Sequence, residues 1–225
     1  MSPIAMLRAL LVAPVLFAAG PASANLIVNG DFSAGNSGFT TSYAYSPGTN
    51  STERQYTIRT DPFPWNPNFV TIGDRTTGSG NMMVINGATT PDVPVWISQS
   101  ITVAPNTGYF FDAFVTSVCC SMATGFVSPT LRFTANGEAL GDITVSSKTP
   151  GTWEGFSKTW NSGSSTSVVL SLVNLQTEAG GNDFALDDLS LSTASTIAVP
   201  LPGGLPLMLG GLAVIGWIAR RTGKA

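Results

Sequence analysis

Nine consecutive residues, Asp61-Pro62-Phe63-Pro64-Trp65-Asn66-Pro67-Asn68-Phe69, hold three aromatic rings and three prolines. Proline cannot donate to a central sheet ladder, so the segment is expected to be a loop or an edge. A ring held in a stiff, exposed loop is a platform on which the apolar face of a sugar can stack. Trp65 and Phe63 are candidates for such a ligand-binding surface together with Trp96, and Tyr43, Tyr45, Trp153 and Trp160 could add to it. The opposing reading is that Phe63 and Trp65 fold back and cap the core, as large aromatics usually do.

Other chemistry is mostly excluded. The chain has no histidine, which removes serine–histidine hydrolysis, cysteine–histidine nucleophiles and histidine-ligated zinc. Glu53, Glu138, Glu154 and Glu178 form no recognisable carboxylate pair of the kind glycoside hydrolysis needs. No Gly-x-Ser-x-Gly elbow or phosphate-binding loop is present. The expectation is a non-enzymatic protein. The two cysteines, Cys119 and Cys120, are adjacent. On a regular strand they would face opposite sides, so a vicinal disulfide needs a turn, which Ser121-Met122-Ala123-Thr124-Gly125 could supply; two unpaired thiols at a strand end is the other reading. Asn50-Ser51-Thr52 fits a glycosylation sequon and is read as a bare loop.

All thirteen acidic residues lie between residues 31 and 188, against six basic ones there: Arg54, Arg59, Arg75, Arg132, Lys148 and Lys158. An acidic domain repels phosphate backbones, which argues against nucleic acid as a partner. The elements that must position any site read as all-β, a jelly-roll β-sandwich over residues 25–192. Strands are expected at Leu26–Val28, Gln55–Arg59, Phe69–Ile72, Met82–Ile85, Val95–Val103, Tyr109–Val118, Thr130–Ala135, Glu138–Val145, Trp153–Thr159, Ser167–Val173 and Phe184–Ser192. Asn136-Gly137 marks a type I′ hairpin.

The ends carry different signals. Residues 1–24 read as a secretory signal peptide: Arg8, an apolar run from Ala9 to Ala19, and a cleavage site at Ala22-Ser23-Ala24 that leaves Asn25 first. A polar linker, 193–198, precedes the tail, 199–225. There Val199-Pro200-Leu201-Pro202-Gly203 is followed by an uncharged stretch to Ala219 and then by Arg220-Arg221. Counted back to Ile197, the uncharged stretch is long enough for one C-terminal transmembrane helix, with the basic cluster on the cytoplasmic side. The tail resembles the PEP-CTERM class of bacterial sorting signals, closest to its Val-Pro-Leu-Pro-Ala variant, with Gly203 in place of Ala. That resemblance implies recognition by an exosortase in a Gram-negative bacterium, many of whose relatives make exopolysaccharide. A permanent, uncut membrane anchor is the alternative.

Asn25-Leu26-Ile27-Val28-Asn29-Gly30-Asp31-Phe32 and Asn182-Asp183-Phe184-Ala185-Leu186-Asp187-Asp188-Leu189-Ser190-Leu191 resemble the first and last strands of galactose-binding-domain-like jelly rolls, including carbohydrate-binding modules. Gly80 to Gly87 looks like a corresponding stretch in exported proteins with this type of tail. The resemblance implies terminal strands that lie side by side and share a structural calcium ion, with Asp31 and Asp188 as its ligands. Ser33 stands where the family often has a glutamate, which removes one expected ligand. Without an ion, these aspartates would cap backbone amides.

Two functions fit these features. One is a glycan-binding module at the cell surface or in the extracellular matrix, holding an exopolysaccharide. The other is a structural or biofilm surface protein that makes protein–protein contacts and has no sugar site.

Overall fold

The computed structural model describes residues 24–50, 52–120 and 126–193. Most of the expected signal peptide (including Ala22), the linker beyond Thr193, and the tail with Val199, Pro200, Leu201, Pro202, Gly203, Arg220, Arg221 and the expected membrane helix lie outside the described residues. Among those described there is no helix, and thirteen strands form: β1 (Phe39–Thr40), β2 (Ala44–Tyr45), β3 (Gln55–Arg59), β4 (Met82–Asn86), β5 (Pro94–Ser98), β6 (Ile101–Thr102), β7 (Gly108–Ser117), β8 (Thr130–Ala135), β9 (Glu138–Thr144), β10 (Glu154–Asn161), β11 (Ser167–Val168), β12 (Leu170–Asn174) and β13 (Phe184–Ser192).

They build a sandwich of the expected all-β kind. One sheet runs β1-β5-β12-β8-β9, the other β10-β7-β13-β4-β3-β2, and β6 pairs with β11. Only the short β2–β3 pairing is parallel. Asn136 and Gly137 both take positive φ, 50° and 84°, as a two-residue I′ turn between β8 and β9 requires. On β8, Leu131, Phe133 and Ala135 point inward and alternate with the half-exposed Arg132 and Thr134. Phe133 meets Phe111 from β7 and Phe156 from β10, with ring centroids 5.1 and 4.5 Å away. Removing a ring from such a junction costs about 3–5 kcal/mol.

β4 is buried along its whole length. Met83 and Ile85 enter the core between the sheets. Met82 and Val84 face the other way and join Trp65, Phe69, Val118, Cys119 and Ala185 in a second apolar cluster. The proline-rich segment therefore lies over the outer face of the six-stranded sheet. A continuous apolar run such as Met82–Ile85 is what a strand covered on both faces looks like.

Several expected strands differ. Val95–Val103 is split into β5 and β6, and Ser167–Val173 into β11 and β12, at the same level. There the Leu170 N–H donates to Ser98 Oγ (2.9 Å) instead of to a carbonyl, and Val169 pairs with Asn136. Phe69–Ile72 is reduced to a single bridge, Phe69 to Cys119. Leu26–Val28 is not a strand, because side chains replace the ladder beyond its first bond. The Leu26 N–H donates to Leu191 O (2.9 Å), but Asn25 Nδ2 donates to Leu189 O (2.9 Å) and Asn25 Oδ1 accepts from the Leu191 N–H (3.0 Å). β1 and β2, two residues each, are too short to show a period in sequence.

Candidate functional site

Antiparallel register decides which residues meet at one end of the six-stranded sheet. Gln55 pairs with Asn86, Ile85 with Phe184, and Phe184 with Ser117. Glu53 just before β3, Asn86 ending β4, Asp183 just before β13 and Cys119-Cys120 just after β7 are thereby gathered, though far apart in sequence. They surround a cavity of about 480 Å³ whose remaining walls include Asn66, Asn68, Phe69, Phe126 and the backbone of residues 179–181.

The polar rim is held by Asn50. Its Oδ1 accepts from Asn66 Nδ2 (2.9 Å) and Asn86 Nδ2 (2.7 Å), while its own Nδ2 donates to Gln55 Oε1 (2.9 Å) and Thr52 O (3.0 Å). The expected bare sequon loop is thus an organising amide whose donors and acceptor are already used. The side chain of Asn68 is exposed at the cavity and makes no hydrogen bond among the described residues. The apolar walls are the rings of Phe69 and Phe126 and the sulfurs of Cys119 and Cys120, which are joined in a vicinal disulfide.

Two carboxyl groups share the cavity. Asp183 is only 4% exposed, and its Oδ1 accepts from the Gly87 N–H (3.0 Å). Burial pushes its pKa up to about 7, against the pull of the Gly87 hydrogen bond, with the charge of Glu53 pushing the same way as burial. Burial also raises Glu53. Glu53 Oε2 is shielded from solvent and has no hydrogen-bond partner among the described residues. The cavity thus offers carboxylate acceptors, amides that donate and accept, and flat apolar surface, the mixture that fixes a polyhydroxylated ring.

The aromatic candidates divide. Trp65 and Trp96 are buried, at 0% and 1% exposure, so neither presents a ring to solvent. Trp65 caps the outer cluster and donates from Nε1 to Ser46 O (2.9 Å). Trp96 lies in the main core. Both correct the expectation of an exposed platform: an indole is large enough to gain more from packing than from exposure. Phe63 is 48% exposed but does not line the cavity. The same proline-rich segment supplies Asn66, Asn68 and Phe69 instead. Glu53, Asn86, Asp183 and Phe126 were not singled out as cavity residues in the sequence, because only strand register brings them together.

Asp31 and Asp188 do come together, lining a second hollow of about 420 Å³ with Arg75 and Phe114. Asp188 sits in a bulge of β13 at φ 51°. It accepts from Thr76 Oγ1 and lies 3.9 Å from the Arg75 guanidinium, which stacks 4.1 Å over the Phe114 ring. Asp31 caps its own turn, accepting from Ser33 N–H (3.2 Å) and Ser33 Oγ (2.9 Å). Asp187 is fully buried and accepts from the backbone N–H groups of Arg75 and Asp188, both at 2.8 Å. A hard cation wants six to eight oxygens. Among the described residues no three acidic, histidine or cysteine side chains cluster, and Arg75 already supplies positive charge. Both expected ligands are engaged by the protein's own groups here, Asp31 by Ser33 and Asp188 by Thr76 and Arg75.

No protein-family model matches the chain, and no curated protein matches it in sequence. Solved structures do match in shape. The arabinose-bound α-L-arabinofuranosidase MgGH51 aligns with TM-score 0.50 at 12% identity over 75% of this chain and 26% of that one. The N-terminal CBM22-1–CBM22-2 tandem domain of Xyn10C from Paenibacillus barcinonensis aligns with TM-score 0.45 at 17% identity, over 82% of this chain and 49% of that one. A family 16 carbohydrate-binding module aligns with TM-score 0.43 at 15% identity, over 74% of this chain and 99% of that one. The chain spans half or less of the first two, and at these identities the likeness is one of fold alone.

Proposed function

We propose that the protein is a non-enzymatic glycan-binding module that works outside the cell. The observation that carries this reading is the cavity at the Asp183 end of the sheet, where amides and carboxyls stand beside the faces of Phe69, Phe126 and the vicinal disulfide. A sugar ring has an apolar C–H face and a rim of hydroxyls, and this wall has a counterpart for each. The test is a glycan array probed with the full chain in detergent, beside its Phe126→Ala and Asn68→Ala variants. The expected outcome is binding to one glycan class that weakens by about tenfold on loss of either side chain, equivalent to about 1.4 kcal/mol. Binding that neither variant changes would remove this cavity from the account. No glycan binding at all would favour a structural or biofilm protein held by protein–protein contacts. Bound oligosaccharide is expected to keep its length; shorter products would make Glu53 and Asp183 a catalytic pair.

The ends extend the proposal. The Ala22-Ser23-Ala24 site with Asn25 supports export, and Val199 to Gly203 with Arg220-Arg221 supports sorting by an exosortase-type enzyme. The protein would be held by the membrane at first and then reside at the surface or in the matrix of a Gram-negative bacterium, against its exopolysaccharide. Mass spectrometry of the extracellular protein tests this: an intact tail on it would overturn processing, and retention in the cytosol would overturn export.

A further inference from the structure

Resting on the glycan-binding reading, we propose that the cavity at the Asp183 end selects amino sugars with a free ammonium group, which Glu53 and Asp183 hold while the ring lies against the apolar wall.

Charge on the wall motivates this. Glu53 and Asp183 are the ionisable side chains of the cavity lining, and no lysine or arginine lines it among the described residues. An ionised carboxylate only accepts hydrogen bonds, and an ammonium only donates them. Glu53 Oε2 is a buried acceptor with no donor among the described residues, and such a group is costly until a ligand supplies one. Asp183 uses Oδ1 on Gly87 and keeps the rest of its carboxyl in the cavity wall. The other acidic hollow of the domain is neutralised from within by Arg75; this one is not. A neutral sugar could satisfy one acceptor with a hydroxyl. Only a cationic ring also offsets the mutual repulsion of two carboxylates in a partly dehydrated space, and the same repulsion rejects uronic acids. Asn66 and Asn86, fixed through Asn50, and Asn68 are left for the ring hydroxyls.

The experiment is calorimetric titration of the full chain with four probes: glucosamine oligomers bearing free amines, the same oligomers fully N-acetylated, oligoglucuronate, and spermidine. The expected result is that the free-amine oligomer binds at least about tenfold more tightly than its acetylated form, while oligoglucuronate and spermidine bind weakly or not at all. Glu53→Gln, nearly isosteric and at a half-exposed position, is expected to abolish the preference while keeping residual binding of the acetylated oligomer; Asp183→Asn, checked for a thermal midpoint no lower than that of the parent chain, should do the same. Equal affinity for free and acetylated oligomers would overturn the inference and leave the glycan reading standing. Binding of spermidine as tight as that of the oligomer would reduce the site to a cation trap. No binding of any saccharide would sink both.

Discussion

β13 and the residue just before it carry acidic groups at two places, and the protein treats them in opposite ways. In the bulge, Asp187 and Asp188 are consumed by the fold: backbone amides occupy the first, and Thr76 and Arg75 the second. Just before the same strand, Asp183 keeps one side-chain hydrogen bond and otherwise faces a cavity with a second carboxyl and, among the described residues, no lysine or arginine in its lining. The first region resembles a site that has been closed with the protein's own side chains, and the second one that remains open. Acidity alone therefore does not mark a functional site; whether the fold has already supplied the counter-charge does.

The sharpest way to break this comparison is through the two glycines that crowd the two regions. A Cβ at Gly30 would run into the backbone carbonyl of Leu189, whereas the nearest atoms to one at Gly87 belong to the side chain of Asn182. Backbone cannot step aside, so Gly30→Ala is expected to lower stability by about 3 kcal/mol and Gly87→Ala by less, measured by chemical denaturation. Equal costs would mean that the closed region is no more tightly built than the open one. Next in size, Asp187→Ala leaves two partly buried N–H groups without their acceptor and should cost about 1–3 kcal/mol without altering glycan binding. Arg75→Gln should likewise leave glycan affinity within about twofold, since distant sites act independently.

Acidity itself gives a smaller, shared effect. Burial raises both Asp183 and Asp187 from 3.8 to about 7. Between those values the folded chain holds protons that the unfolded chain has released, so the stability they contribute is full below pH 3.8 and is lost as pH rises from there through about 7. The thermal midpoint should therefore be higher at pH 5 than at pH 8, and Asp183→Asn should flatten part of that slope. A midpoint that rises over the same interval would overturn the assignment. The smallest effect expected is from calcium. Chelator or added calcium should leave the thermal midpoint of the full chain unchanged, because Asp31 is already engaged by Ser33 and Asp188 by Thr76 and Arg75; a clear upward shift with calcium would establish Asp31 and Asp188 as ligands.

How much of this was legible in sequence follows from the range of each interaction. The Asn136-Gly137 hairpin and the alternating face of β8 are local, and both are found where the sequence puts them. The proximity of the first and last segments is non-local but is carried by recognisable motifs, and Asn25 and Gly30 do meet Leu189 and Leu191. The cavity is non-local and carries no motif. Glu53, Asn86 and Asp183 become neighbours only after β3, β4 and β13 are paired in register. Trp65 misled for a related reason. Its loop looks like a free platform until the two-sided burial of Met82–Ile85 shows that something must cover the outer face of that strand.

The direction of β13 has a consequence for how the molecule would meet its surroundings. The strand leaves Asp183 at the cavity and ends at Ser192, from which the chain continues toward its C-terminus. At about 3.3 Å per residue, the mouth of the cavity and the exit of the polypeptide stand roughly 30 Å apart, at opposite poles of the sheet. A chain tethered by its last residues would hold that mouth away from the tether, reaching outward like a hand on a short arm.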